Sequence, residues 1–314
     1  MSDVQVKMPP PEVFFNALAK RSFRASLENT VVDCSPEPRP FKLVAEDWQW
    51  RDYFDPITPA VEYICRGEAD GLPPYAGKHG FWNTKPRGSA KTSAIAMVCN
   101  HILAHARRRV PVKISVAASD QKQAKLVRDS MFVQAKLNPW FGDSLQINRY
   151  DAEGPGGKLE ILSADAGSAY GGASDIIICD ELTHWPASGQ ALWVALTTEG
   201  IKKPMCVMFV ITNAGYQGTW QWNALQQYKA DPDWHVIDRP GYVANWVNRD
   251  RIESTRQQIL KSTGSAHEAM RLLDNIWVPS RTGAVSHPSL VHAIERPDAD
   301  PPTGSTGAGE APQG

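Results

Sequence analysis

The chain has 314 residues, 42% of them hydrophobic, enough to bury the core of one large α/β domain or of two modest ones. Its 33 Lys and Arg against 34 Asp and Glu leave a net charge of −1, which excludes a global attraction to nucleic acid and leaves only local patches for such contacts. Cys34, Cys65, Cys99, Cys179 and Cys206 have neither disulfide nor zinc spacing, no apolar run reaches membrane-spanning length, and the N-terminus lacks the apolar core of a signal peptide, so a reduced, cytoplasmic setting with no membrane contact is expected.

Residues 1–40 read as an N-terminal arm, with a short helix near Val13–Leu27 and a proline-rich stretch, Cys34–Pro40, leading into the domain. From 41 to 240 the pattern alternates. Strands are expected at Gly80–Thr84, Val112–Ala117, Leu159–Leu162, Ile176–Cys179, Cys206–Thr212 and His235–Ile237, with helices over Thr92–Ala106, Gln121–Ala135, Gly189–Thr198 and Thr219–Tyr228. Continuous apolar strands separated by helices imply an α/β fold, a mostly parallel sheet flanked by helices, which binds ligands at the carboxyl ends of its strands. Asp151–Gly157 is a hairpin or loop, and Gly167–Ser174 a glycine-rich loop ahead of the fourth strand. Residues 241–280, with helices near Arg249–Ser262 and Ala266–Leu273, read as a small C-terminal helical lid, and 281–314 as a linker and disordered tail.

Two segments carry chemistry. Lys85-Pro86-Arg87-Gly88-Ser89-Ala90-Lys91-Thr92 has the Lys-Thr ending of a phosphate-binding loop: backbone N–H groups of Gly88, Ser89 and Ala90 would hold phosphates, Lys91 would reach the β/γ-phosphates and Thr92 would ligate Mg²⁺. Both usual glycine positions are otherwise filled, by Lys85 and Ala90, which narrows the backbone's options. Ile176-Ile177-Ile178-Cys179-Asp180-Glu181 is an apolar strand ending in two carboxylates, of which Asp180 would hold Mg²⁺ through water and Glu181 would polarise the attacking water. Phe209–Gly215 is a strand ending in Thr212-Asn213, whose hydroxyl and amide could sense a γ-phosphate; the plainer alternative is a strand followed by an Asn-Ala-Gly turn. Arg107-Arg108-Arg109, Lys113, Lys122, Lys125 and Arg128 make a local basic excess that suits either a phosphate-contacting patch or a solvated face.

Four segments in order resemble the ATPase half of the phage large terminase subunit, the motor that packages DNA into capsids. They are Phe41–Phe54 with Trp48-Gln49, Pro86–Thr92 with Arg87, Ile176–Glu181, and Phe209–Gly215, and the resemblance continues through Asn275-Ile276-Trp277-Val278-Pro279-Ser280 and reaches about residue 300. It implies a P-loop NTPase that uses ATP and Mg²⁺ to move double-stranded DNA, in which Arg87 supports the γ-phosphate and Thr212-Asn213 couple hydrolysis to movement. Gln49 would contact adenine through an amide that both donates and accepts, or would only pack at a domain edge. A homo-oligomeric ring, a portal protein and a small terminase subunit are the implied partners, and an arginine finger is needed, for which Arg128, Arg149 and Arg239 are candidates. The family's nuclease domain has no expected counterpart in this sequence, since Asp298 and Asp300 lie in the linker, so no nuclease activity is expected: either the chain is a fragment or split gene product, or cleavage is supplied by another chain. Two other readings stay open: a helicase-like or remodelling ATPase, and a degenerate nucleotide-binding module that docks on capsid or DNA without turnover.

Overall fold

The longest apolar runs become the innermost strands, because a strand covered on both faces has no position that tolerates polarity. In the computed structural model, which describes residues 22–66, 73–162, 173–203, 205–241 and 244–280, eight strands form one sheet. These are β1 (Gly80–Thr84), β2 (Val112–Ala117), β3 (Gln146–Ile147), β4 (Asp151–Gly154), β5 (Gly157–Ile161), β6 (Ile176–Asp180), β7 (Val207–Thr212) and β8 (Trp234–Asp238). Their spatial order is β8-β1-β7-β6-β2-β5-β4-β3. The first six in that order are mutually parallel, and β5-β4-β3 is an antiparallel edge built from the 151–157 hairpin. Every residue of β1, β6 and β7 is buried.

Register positions the chemistry. Thr84 of β1 lies opposite Thr212 of β7, and Asp180 of β6 lies opposite Ile211, so three strand ends finish level on one rim. β7 lies between β1 and β6, so the two motif-bearing strand ends flank the end of β7 on that rim.

Helices cover the sheet: α1 (Phe23–Asn29), α2 (Asp55–Arg66), α3 (Lys91–His105), α4 (Gln121–Leu137), α5 (Gly189–Glu199), α6 (Trp220–Ala230), α7 (Arg249–Thr263) and α8 (Ala266–Leu273). α3 is buried almost throughout and lies against α4 and the sheet, consistent with its uninterrupted Ile95–Leu103 run. α1 belongs to the same core: Phe23 and Leu27 are each 1% exposed, and burying side chains of this size contributes about 1.5–3 kcal/mol apiece. Asn138 fastens the next residues, accepting from Val31 N–H and donating to Val31 O. Residues 22–40 are therefore packed as part of the domain; the rest of the expected arm lies outside the described residues.

α7 starts at Asn248, whose side chain accepts from Arg251 N–H, and ends at Gly264 with φ +65°. It buries no residue and is held through Arg256, which grips both carboxylate oxygens of Asp274 at 2.6 and 2.7 Å. α8 is amphipathic, with Ala269, Arg271 and Leu273 buried, and contiguous packing extends to Val278. The tail at 281–314 and most of the glycine-rich 167–174 loop lie outside the described residues.

Candidate active site

The loop from Lys85 to Ala90 leaves the buried end of β1 and enters α3. Lys85 stands at a usual glycine position without a left-handed backbone, and its side chain is drawn away from the loop. Its ammonium sits 3.8 Å over the Trp48 ring and 3.6 Å from Asp52, a buried carboxylate that also pairs with Arg51 and Arg239. Burial pulls the Lys85 pKa down to about 8, with Asp52 opposing the shift.

Ala90, the other glycine position, has φ +52°, ψ +28°, the left-handed conformation that glycine adopts freely and alanine does not. Strain of about 1–2 kcal/mol is stored there, and Ala90→Gly should release it against an unfolded-state entropy cost of about 0.4–1 kcal/mol. The expected outcome is retained activity and a stability change between neutral and about +1 kcal/mol in urea unfolding; a loss beyond about 1 kcal/mol would mean that the Ala90 methyl packs in an essential way.

Lys91 is buried, and its ammonium donates to Lys85 O at 2.9 Å and Pro86 O at 3.2 Å, folded back across its own loop. Burial lowers its pKa while Glu181 and Asp180 raise it. Arg87 is exposed, with its N–H donating to Leu272 O of α8 at 3.0 Å. Thr92 is half-buried in the first turn of α3, and the Ser89 hydroxyl is buried with no partner.

Asp180 ends β6 with both carboxylate oxygens buried and unpartnered. Burial, then repulsion from Glu181, raises its pKa to about 7 against the pull of Lys91. The native carboxyl thus keeps its proton up to about pH 7, whereas the unfolded one releases it near 3.8, so this group makes stability fall as pH rises through that window. In calorimetry of the nucleotide-free protein, Tm should drop between about pH 4 and 7 more steeply for wild type than for Asp180→Asn; parallel curves would refute the raised value.

Glu181 turns the chain out of the strand with φ +48°, leaving Oε2 buried and unpartnered, 3.9 Å from His184 Nδ1. Thr212 Oγ1 accepts from Thr183 N–H at 3.0 Å and meets the Thr183 hydroxyl at 2.9 Å. Asn213, fully buried, donates through Nδ2 to Lys85 O at 2.9 Å and leaves Oδ1 unpartnered. Lys91, Asp180, Glu181, Thr212 and Asn213 therefore share one rim, and buried oxygens of Ser89, Asp180, Glu181 and Asn213 have no partner. Buried polar groups ordinarily have partners, so this convergence marks a candidate site for a polar ligand.

Gln49 is buried, and its Oε1 accepts from Glu46 N–H at 3.0 Å, closing a helix cap. Of the three arginines weighed from sequence, Arg128 pairs with Asp129 and Arg149 lies over Tyr150 beside the antiparallel edge of the sheet, while Arg239 reaches Asp52 behind the loop.

Sequence reasoning assigned no role to Thr183 or Asn275. Asn275, 2% exposed with φ +53°, accepts from Ala214 N–H at 2.9 Å and donates to Thr84 O at 3.1 Å and Arg239 O at 2.7 Å. The hydroxyl two residues past the acidic pair was a readable signal for Thr183; a structural asparagine far along the chain offers none.

No family model matches the chain, and neither does any curated protein. Among solved structures it is similar to the large terminase of bacteriophage HK97, with a TM-score of 0.62 and 17% identity over 82% of this chain and 55% of that one. It is also similar to the large terminase of a thermophilic bacteriophage, with a TM-score of 0.50 and 10% identity over 70% of this chain and 53% of that one. The mostly parallel sheet flanked by helices is the fold these large terminases share with the chain. The chain spans about half the length of these two.

Proposed function

We propose that this chain is the ATP-hydrolysing motor part of a phage-type large terminase and drives double-stranded DNA into a procapsid. The observation that carries the reading is the placement of Lys91, the Asp180-Glu181 pair and Asn213 on one rim, on or beside β1, β6 and β7, with unpartnered buried oxygens between them. The loop N–H groups and the start of α3 hold the phosphates, and Lys91 transfers its ammonium from Lys85 O and Pro86 O to the β/γ-phosphate oxygens. Arg87, exposed at the loop's crest, supports the γ-phosphate. Glu181 Oε2 accepts the proton of the attacking water, and the buried setting strengthens that interaction.

The two unpartnered Asp180 oxygens and the Thr92 hydroxyl suit a hard divalent ion, and Mg²⁺ held there would neutralise charge on the β- and γ-oxygens. Asn213 links the γ-phosphate position to Lys85 O, so a change in the loop is passed to β7. A homo-oligomeric ring on a portal, assisted by a small subunit in the host cytoplasm, is the assembly this function requires. Among the described residues no helix is long and apolar enough to cross a membrane.

The test is Mg²⁺-dependent ATP turnover with and without linear duplex DNA, paired with displacement of a fluorescent third strand from that duplex. Stimulated turnover with displacement is expected. Unwinding of a forked duplex would favour the helicase-like reading, and nucleotide binding without turnover a docking module.

A further inference from the structure

Glu181 holds a backbone that a residue with a Cβ does not favour. Its φ +48°, ψ +46° is the left-handed conformation, which persists at such a residue only where neighbours fix it. The end of β7 supplies that fixing. Glu181 N–H donates to Ile211 O at 2.8 Å, and Thr183 N–H, two residues on, donates to the Thr212 hydroxyl at 3.0 Å. The Thr183 hydroxyl donates to Asn213 O at 3.1 Å and lies 2.9 Å from Thr212 Oγ1. With that proton given to Asn213 O, the Thr212 hydroxyl donates to Thr183 Oγ1 while accepting from Thr183 N–H. Gly215 completes the enclosure, since a Cβ there would lie 3.0 Å from Thr183 Cγ2 and 3.1 Å from Thr183 Cβ.

Thr212 is fully buried, and its hydroxyl, unlike Asn213 Oδ1, is not one of the unpartnered oxygens on the rim. The partners it has both belong to Thr183. The far side of the same turn is held independently: Trp185 Nε1–H donates to Asp180 O at 2.9 Å, and Gln221 Nε2–H donates to Trp185 O at 2.8 Å. Losing the Thr183–Thr212 clasp therefore loosens the turn at Glu181 while its other side stays attached.

We propose that Thr183 and Thr212 are positioning residues for the hydrolytic step: their clasp keeps Glu181 in its left-handed turn with Oε2 on the rim, and the Thr212 hydroxyl serves this carboxylate rather than meeting the γ-phosphate. The inference rests on the reading of Glu181 as the base. A base acts only from within hydrogen-bond reach of the water it deprotonates, and a displacement of about 1 Å costs up to about a hundredfold in rate.

The experiment measures kcat, KM and the affinities for ADP and ATPγS in wild type, Thr212→Val, Thr212→Ser and Thr183→Val, alone and in the Glu181→Gln background, with a melting curve for each. Thr212→Val keeps the side chain's shape and strands the Thr183 N–H, so kcat should fall about 10–100-fold with KM and both affinities within about threefold of wild type. Thr183→Val, which loses the hydroxyl and keeps the N–H, should lose less, and Thr212→Ser should recover most of the rate. In the Glu181→Gln background no base remains to be placed, so Thr212→Val should cost nothing further in single-turnover rate. If Thr212→Val melts below the assay temperature, Thr183→Val gives the same comparison. Full additivity with Glu181→Gln would overturn the proposal, because the clasp would then act by a route other than Glu181. So would an unchanged kcat, or a selective loss of ATPγS over ADP in Thr212→Val, which would put the hydroxyl on the γ-phosphate. Wild-type turnover in Glu181→Gln alone would instead remove the base assignment, and this inference with it.

Discussion

Lys91→Ala is expected to abolish ATP turnover, with a loss of about 3 kcal/mol or more on the barrier, at least a hundredfold in rate. The argument starts from burial. The ammonium lies in a site that excludes water, where its charge acts on the phosphates with little screening, and nothing replaces it: Arg87 is exposed and Lys85 is turned toward Trp48 and Asp52. In the free protein the same ammonium bonds Lys85 O and Pro86 O, so the variant also leaves two loop carbonyls without that donor. Circular dichroism and a melting curve should accompany the assay. A folded variant with wild-type turnover would remove the phosphate-loop assignment.

Glu181→Gln separates binding from chemistry. The amide keeps the size of the carboxylate and cannot accept the proton from water, so turnover should fall about 10²–10⁴-fold while nucleotide affinity stays near wild type. Affinity should even rise slightly, because one of the two adjacent carboxylates facing the phosphates is neutralised; Glu181 raises the Asp180 pKa through that same repulsion. Equal loss of binding and turnover would mean that Asp180 and Glu181 have exchanged roles.

The inner strands are legible in the sequence because long-range burial leaves a local trace, whereas the short edge strand Gln146–Ile147 leaves none. Gly80–Thr84 and Val112–Ala117 are found at the bounds their apolar runs mark, and β6 runs one residue beyond Cys179 because Asp180 still pairs with Ile211. The 151–157 hairpin and the 159–162 run join into one antiparallel edge, since Gly157 pairs with Gly154 across the turn and opens a strand that runs on to Ile161. What is not legible is what depends on partners remote in sequence. The two non-glycine loop positions look like one defect and are two different solutions: Lys85 needs no special backbone once Trp48 and Asp52 receive its side chain, while Ala90 takes the left-handed conformation directly. Gln49 reads as a free amide until Glu46 N–H is seen to hold its oxygen.

In mechanical terms, the rim is a closed linkage without play. Asn275 joins the end of β1 to the segment after β7; Arg87 N–H is held by Leu272 O, and Val278 lies alongside Tyr216. Residues 84–87, 214–216 and 272–278 are thus tied together by hydrogen bonds from both sides. On the proposed motor reading, these few hydrogen bonds are the path by which a change at the loop reaches α8.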